Sequence, residues 1–197
     1  FIDGKFRVEA SGQETDILAV ASAYAEFHGS SEQLTSEYFQ EGRIKTYPYG
    51  ASAAEIEIDP DTGEMKVCKY AIVDDCGQAV NPMIVHGQTH GGIAMGAGQA
   101  MGECAFFDLN SGQLLTGSFM DYMMPRADQF PMFDIGTMEV PSDTSPLRIK
   151  AGGEAGTVPA LAVIGNAVMD ALSPYGIEHF DMPYTAARIW GEINKAG

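Results

Sequence analysis

Between Asn81 and Glu103 the chain places six glycines, Gly87, Gly91, Gly92, Gly96, Gly98 and Gly102, in a stretch that otherwise reads as one helix. Asn81-Pro82 is a good helix start, because Asn caps well and Pro is tolerated at the first helical position. The helix is predicted to run from residue 82 to about 104. In a helix interior each glycine costs up to about 1 kcal/mol relative to alanine. Six together are tolerable only where something approaches the helix backbone closely. Gly87/Gly91, Gly92/Gly96 and Gly98/Gly102 are each four apart and therefore stack on faces. Two readings stay open: tight helix–helix or helix–sheet packing, or a large ligand against the helix with Gln88 or Gln99 supplying amide donors and acceptors.

Familiar templates do not fit this stretch. Gly96-Ala97-Gly98 is followed by Met101 where a dinucleotide fingerprint needs its third glycine, and no Gly-Lys-Ser/Thr is present for a P-loop. His86 and His90 have the spacing of a zinc metallopeptidase helix, but Gly87 stands where that motif needs its glutamate. His86, Gln88, His90, Gln99 and Glu103 argue against a membrane dimerisation helix.

Around this helix the sequence predicts mixed elements. Residues 1–8 read as a short hairpin turning at Asp3-Gly4, Ile17 to Phe27 as a helix and 31–47 as an irregular strand. Ala54-Glu55-Ile56-Glu57-Ile58-Asp59 alternates apolar and acidic residues, as a strand with one solvated face does. Pro60-Asp61-Thr62-Gly63 is a turn, and Met65 to Asp74 returns as an antiparallel partner. A hairpin joins Phe106-Phe107 to Leu114-Leu115, and residues 121–148 are irregular with a strand near Ile135–Val140. A helix from about Pro159 to Leu172 is apolar almost all round and expected to be buried; an amphipathic helix spans Pro183 to Lys195. Without regular βαβ alternation the fold class is α+β, with mixed or antiparallel sheets and packed helices.

The charge balance excludes some functions. With 27 acidic against 11 basic side chains the formal net charge is −16, so phosphate is repelled and nucleic-acid binding is disfavoured, as are anionic membrane surfaces. No apolar run is expected to be long enough to span a bilayer. Cys68, Cys76 and Cys104 are an odd set without a CxxC pair, neither a disulfide framework nor an iron–sulfur ligand set. Reduced thiols point to the cytoplasm. The chain opens on Phe1 inside a predicted strand, so it is expected to be a truncated or split part of a larger subunit.

One carboxylate has an unusual setting. Glu154 lies in Lys150-Ala151-Gly152-Gly153-Glu154-Ala155-Gly156, flanked by small residues and followed by the apolar helix. A carboxylate desolvated in such a loop makes a general base. Equally, it could cap the helix that follows. No second carboxylate, serine or histidine is close in sequence, so a hydrolytic pair or triad is not indicated.

Taken in order, Tyr47-Pro48-Tyr49-Gly50, Ala54 to Asp59, Asp61-Thr62-Gly63, Asp74-Asp75-Cys76-Gly77, Asn81-Pro82-Met83, Gly87-Gln88 with Gly91-Gly92, and Lys150 to Gly156 resemble the C-terminal end of the molybdopterin-binding large subunit of molybdenum hydroxylases. This is the xanthine dehydrogenase/aldehyde oxidase/CO dehydrogenase family. The resemblance covers about residues 35 to 195. It implies that residues 1–197 are a portion of the molybdopterin-binding domain. It also implies that Glu154, at the Glu of the family's Lys-Gly-x-Gly-Glu loop, is the base beside the molybdenum. Gln88, at the Gln of its Gly-Gln-x-x-Gly helix, would contact the cofactor. Gly153, Ala155 and Gly156 would support the pocket through backbone contacts. Three positions depart from the family's usual pattern: Ala151 for the first loop glycine, Gly152 for Val or Ile, and Ser52 for His.

The implied activity is oxidation of an aldehyde, purine or N-heteroaromatic with water-derived oxygen. The implied cofactor is molybdopterin-type, in its cytosine dinucleotide form. The implied partners are the remainder of the large subunit and iron–sulfur and FAD subunits, in a dimer of the complex. The isolated chain is expected to be inactive, because one wall of a cleft cannot enclose a ligand. Two other readings are a CO-oxidising family member, associated with a copper-bearing cysteine loop upstream, and a cofactor-free binding or structural module that reuses the fold.

Overall fold

The computed structural model describes residues 1–29, 37–39, 42 and 44–196. Its contacts divide the chain into two units, Phe1–Arg43 and Ile44–Gly197. In the first, Asp3 (φ 50°) and Gly4 (φ 76°) make the predicted tight turn, closing an Ile2↔Lys5 bridge. Strand β1 (Lys5–Arg7) then pairs antiparallel with β2 (Glu14–Asp16), a second hairpin whose polar strand carries no periodic signal. Helix α1 (Ile17–His28) starts where Asp16 accepts a hydrogen bond from the Ala19 N–H at 2.7 Å. None of this unit's described residues is buried. The strand predicted over 31–47 falls largely outside the described residues, and 44–48 are not in a strand.

The second unit has a core. Strands β3 (Tyr49–Ile58) and β4 (Met65–Asp75) form the antiparallel pair read from the sequence, and β3 begins five residues before the alternating segment. A bulge at Glu55/Ile56 shifts the register, which places Tyr70, Ile72 and Asp74 on one inward phase of β4. Strand β5 (Asp134–Thr137) joins the other edge of β4 in parallel, so the sheet order is β3-β4-β5.

Helix α2 (Pro82–Met101) is capped by Asn81, whose side chain accepts from the Ile84 N–H at 3.2 Å. Helix α3 (Thr157–Leu172) packs against α2 and β3, and α4 (Ala186–Ala196) closes the chain. Ile93, Ala97, Ile164, Val168, Leu172 and Ile189 interlock with Tyr70 and Ile72 in the buried cluster. The α+β expectation holds: a mixed sheet with helices packed on it.

Three expectations need correction. Helix α3 is not buried all round: Ala160, Ile164, Val168 and Leu172 are inaccessible, but Val158 is 66% exposed, and Ala162, Asn166 and Asp170 continue that open stripe. Among the described residues the side facing α2, β3 and Tyr184 finds partners. The segment Thr157–Tyr175 is, by length and composition, long and apolar enough to cross a membrane, contrary to the sequence reading. Its buried stripe instead belongs to the core shared with α2 and β4. Helix α4 begins at Ala186 and not at Pro183: its ladder starts at the Thr185 carbonyl, which accepts from the Arg188 and Ile189 N–H groups at 3.0 and 2.9 Å.

Candidate functional site

The glycines of α2 divide by face. On one side, a Cβ at Gly92 would meet Thr157 N at 3.0 Å, and one at Gly96 would meet the Thr157 carbonyl at 2.5 Å and Ala160 Cβ at 2.8 Å. Here α2 and the start of α3 are in backbone contact, and only glycine permits it. Gly156 completes the contact from the opposite side, since a Cβ there would collide with the Thr89 carbonyl and come within 2.8 Å of Ile93 N. Gly98 and Gly102 are filled by Pro125 and Met123. Gly87 and Gly91 have nothing within 4 Å of where a Cβ would stand. The packing reading of the glycine helix therefore describes the side facing α3 and the C-terminal end, and the first turns are open at Gly87 and Gly91.

The glycine-rich turn is fixed at both ends. Gly156 locks it to α2 at its end. At its start, Lys150 donates from Nζ to Asp75 Oδ2 at 2.5 Å, with side-chain exposures of 11% and 0%. Asp75 also accepts from the Gly77 N–H at 2.8 Å and the Val140 N–H at 3.0 Å. Burial alone would push the Asp75 carboxyl up. Lys150, Val140 and Gly77 outweigh it and hold the group below its ordinary value. The Lys150 ammonium also lies 5.1 Å from the Tyr49 ring centroid. The backbone repeats the tie, with Lys150 N–H donating to the Cys76 carbonyl at 2.7 Å and Gly77 bridging Ile149. Gly77 takes φ 69°, and a Cβ there would come within 2.6 Å of the Arg148 carbonyl. Asp75 and Lys150 both stand in the sequence motifs, but nothing local marks them as a pair.

Between these anchors the turn borders a cavity of about 630 Å³. Its lining includes Tyr49, Gly50, Asp74, Gly153, Glu154 and Val158. Glu154 is exposed, and its carboxylate makes no hydrogen bond or ion pair with described residues. The capping alternative fails, because α3 has no side-chain cap; the Glu154 carbonyl does that work, accepting from Thr157 N–H and Val158 N–H at 3.1 Å each. The desolvated carboxylate expected from the sequence is also corrected. Gly156 takes the inner position of the turn against α2, which leaves Glu154 on its outer side. Ala155 is half-buried and lines the same cavity. Gln88 is exposed on the open side of α2, and its Nε2 lies 4.0 Å from where a Gly153 Cβ would stand. The fold thus brings Gln88, Gly153, Glu154 and Ala155 to one region, and places Gly156 in the packed contact behind it.

Other chemistry-bearing residues are engaged elsewhere. His90 Nδ1 lies 2.8 Å from the His86 carbonyl, and His86 Nε2 lies 3.4 Å from Thr137 Oγ1. Among the described residues no cluster of three His, Cys, Asp or Glu could hold a metal ion, and Cys68, Cys76 and Cys104 are all free. A larger hollow of about 820 Å³ lies along the far end of the β3–β4 pair, lined by Glu57, Asp59, Glu64 and Lys66 among others. It contains none of the expected site residues.

Against known proteins, the family described as "Molybdopterin cofactor-binding domain" matches residues 1–131. The chain is 33% identical over 194 residues to the carbon monoxide dehydrogenase large chain of Hydrogenophaga pseudoflava, covering 96% of this chain and 24% of that protein. It is 42% identical over 140 residues to the nicotine 6-hydroxylase large subunit of Paenarthrobacter nicotinovorans, covering 71% and 17%. Among solved structures, CO dehydrogenase from Oligotropha carboxidovorans superposes with a TM-score of 0.87 at 31% identity, covering 98% of this chain and 24% of that one. The chain therefore spans about a quarter of the length of the relatives it matches end to end. By the family match, this near full-length similarity and the shared fold, the chain belongs to the molybdopterin cofactor-binding domain family of the molybdenum hydroxylases.

Proposed function

We propose that this chain forms one wall of the active site of a molybdenum hydroxylase, with Glu154 as the base and Gln88 as a cofactor contact. The observation that supports the reading is the approach of Gln88 Nε2 to within 4.0 Å of where a Gly153 Cβ would stand, on the turn whose Glu154 borders the cavity. The residues fit the group. Gln88 offers an amide donor and acceptor with no partner among the described residues, and Gly153 leaves the space beside it free of side chain. The open Gly87/Gly91 stripe lets a large ligand approach the α2 backbone. When bound, the molybdenum cofactor supplies the redox centre that takes two electrons from the substrate carbon. Glu154 takes up, at a carboxylate oxygen, the proton of the water-derived nucleophile as it attacks that carbon. Gly153, Ala155 and Gly156 hold the turn, and Lys150 with Asp75 fixes where it begins. The substrate class is an aldehyde, a purine or an N-heteroaromatic, and the cofactor is the cytosine dinucleotide form.

The complete protein adds the rest of the large subunit and iron–sulfur and FAD partners, in the cytoplasm and as a dimer of the complex. The isolated chain neither retains cofactor nor turns over substrate. Metal analysis tests the reading. Molybdenum co-purifies with the complete protein, is retained in Glu154→Gln and falls in Gln88→Leu. A complete protein that folds without molybdenum and binds no cofactor would instead be a module reusing the fold. The similarity to carbon monoxide dehydrogenase large chains favours a second reading as a CO-oxidising member; copper beside molybdenum in the complete protein would separate the two.

A further inference from the structure

Three buried side-chain oxygens lack a hydrogen-bond partner among the described residues: Ser52 Oγ, Tyr70 Oη and Asp74 Oδ2. The first two neighbour one another on the inner face of the β3–β4 pair, where Ser52 pulls down the Tyr70 hydroxyl that burial pushes up. Asp74 acts on the Tyr70 hydroxyl only through its charge and leaves Oδ2 without a hydrogen bond. It follows Tyr70 and Ile72 on the inward phase of β4, a phase that takes apolar side chains in a packed sheet. It is only 9% exposed, and it lines the cavity that Glu154 borders. Gly50, its cross-strand partner, makes room for it: a Cβ there would collide with Asp74 Oδ1. A carboxyl given this space and then left without a partner is an expensive arrangement, since burial strips it of water and returns no hydrogen bond. A ligand in the cavity would satisfy it.

Resting on the proposed function, we infer that Asp74 is a second ligand-facing carboxyl of the Glu154 cavity. It selects uncharged ligands with an apolar body and a hydrogen-bond-accepting nitrogen or carbonyl oxygen. Tyr49, Pro48, Val158 and Pro159 supply apolar walls for the body of such a ligand. The Glu154 carboxylate on the same cavity disfavours an anion. Burial raises the Asp74 carboxyl above its ordinary value, which favours the protonated form that can donate. Asp74 makes and breaks no covalent bond in this role, so it is a specificity-determining residue and leaves the base function to Glu154.

The test is equilibrium binding of two probes to the complete, cofactor-loaded protein. Quinoline carries an accepting nitrogen, and naphthalene has the same apolar frame without it. The wild type binds quinoline about five- to tenfold more tightly, the worth of one hydrogen bond to a buried donor. Asp74→Leu brings the two probes to within about twofold of each other, while Asp74→Asn, of like size and still a donor, keeps the preference. Equal binding of the probes by the wild type overturns the inference without any variant having to fold, as does failure of either to bind. A preference that survives in Asp74→Leu at wild-type molybdenum content overturns it too. Glu154→Gln separates the two proposals: it leaves the quinoline preference intact while stopping turnover. Full turnover in that variant, with the preference kept, removes the base role and leaves the ligand role of Asp74 standing.

Discussion

The two sides of helix α2 carry the same residue type to opposite ends. On the side facing α3, Gly92 and Gly96 are glycine because a backbone already occupies the space a side chain would need. On the other side, Gly87 and Gly91 face nothing within 4 Å, and Gln88 between them is exposed beside the Glu154 turn. Loss of helix propensity is the same on both sides. The packed side recovers it through close contact with α3; Gly87 and Gly91 recover it nowhere among the described residues. A destabilising choice without structural return is the mark of a surface kept clear for something else.

Breaking the anchor that holds the turn between these two sides should have the largest effect. Lys150→Met leaves the Asp75 carboxylate buried without its cation and should lower stability by about 3–5 kcal/mol, read by chemical denaturation. The same pair sets a pH dependence. Asp75 has its carboxyl lowered in the folded state, so its contribution is fully present above the ordinary carboxylate value of about 3.9. It is lost as pH falls through the lower folded value. The gap between wild type and Lys150→Met should accordingly narrow on acidification below about pH 4.

Next in size, Gly96→Ala pushes a methyl into the Thr157 carbonyl and Ala160. It should lower stability by about 1–3 kcal/mol, more than the roughly 1 kcal/mol of helix propensity that alanine returns. The smallest effect has the opposite sign. Gly87→Ala enters open space and should raise stability by roughly 0.5–1 kcal/mol, seen as a higher melting temperature. If Gly87→Ala destabilises as Gly96→Ala does, the distinction between the two sides is lost.

Much of this frame was legible in the chain. The β3–β4 pair follows from the alternation over 54–59, the cap of α2 from Asn81-Pro82, and the turn before α3 from its glycines. What escaped depends on neighbours distant in sequence. Lys150 and Asp75 are 75 residues apart, and neither shows a local signal of pairing. Tyr49 to Ala53 lack alternation, so the start of β3 was invisible, and with it the Gly50–Asp74 register pair. The period-2 run Tyr70, Ile72, Asp74 did hold a clue, an acid on an apolar phase, masked by the bulge that shifts the phase earlier in the strand. The glycine helix left packing and ligand contact as alternatives, and α3 settles which glycines pack. Glu154 was singled out by its small neighbours, but its exposure depends on Gly156 being pressed to α2, which no local pattern reveals.

The central claim is that Glu154, on the turn beside the open side of α2, is the base at its cavity. It is tested most directly by substrate-driven reduction of the cofactor, followed by stopped-flow spectroscopy. Complete wild-type protein is compared with Glu154→Gln at equal molybdenum content. The account predicts a fall of at least about 100-fold in the reduction rate, as loss of a general base brings, with metal retention and thermal stability unchanged. A reduction rate equal to that of the wild type would contradict it.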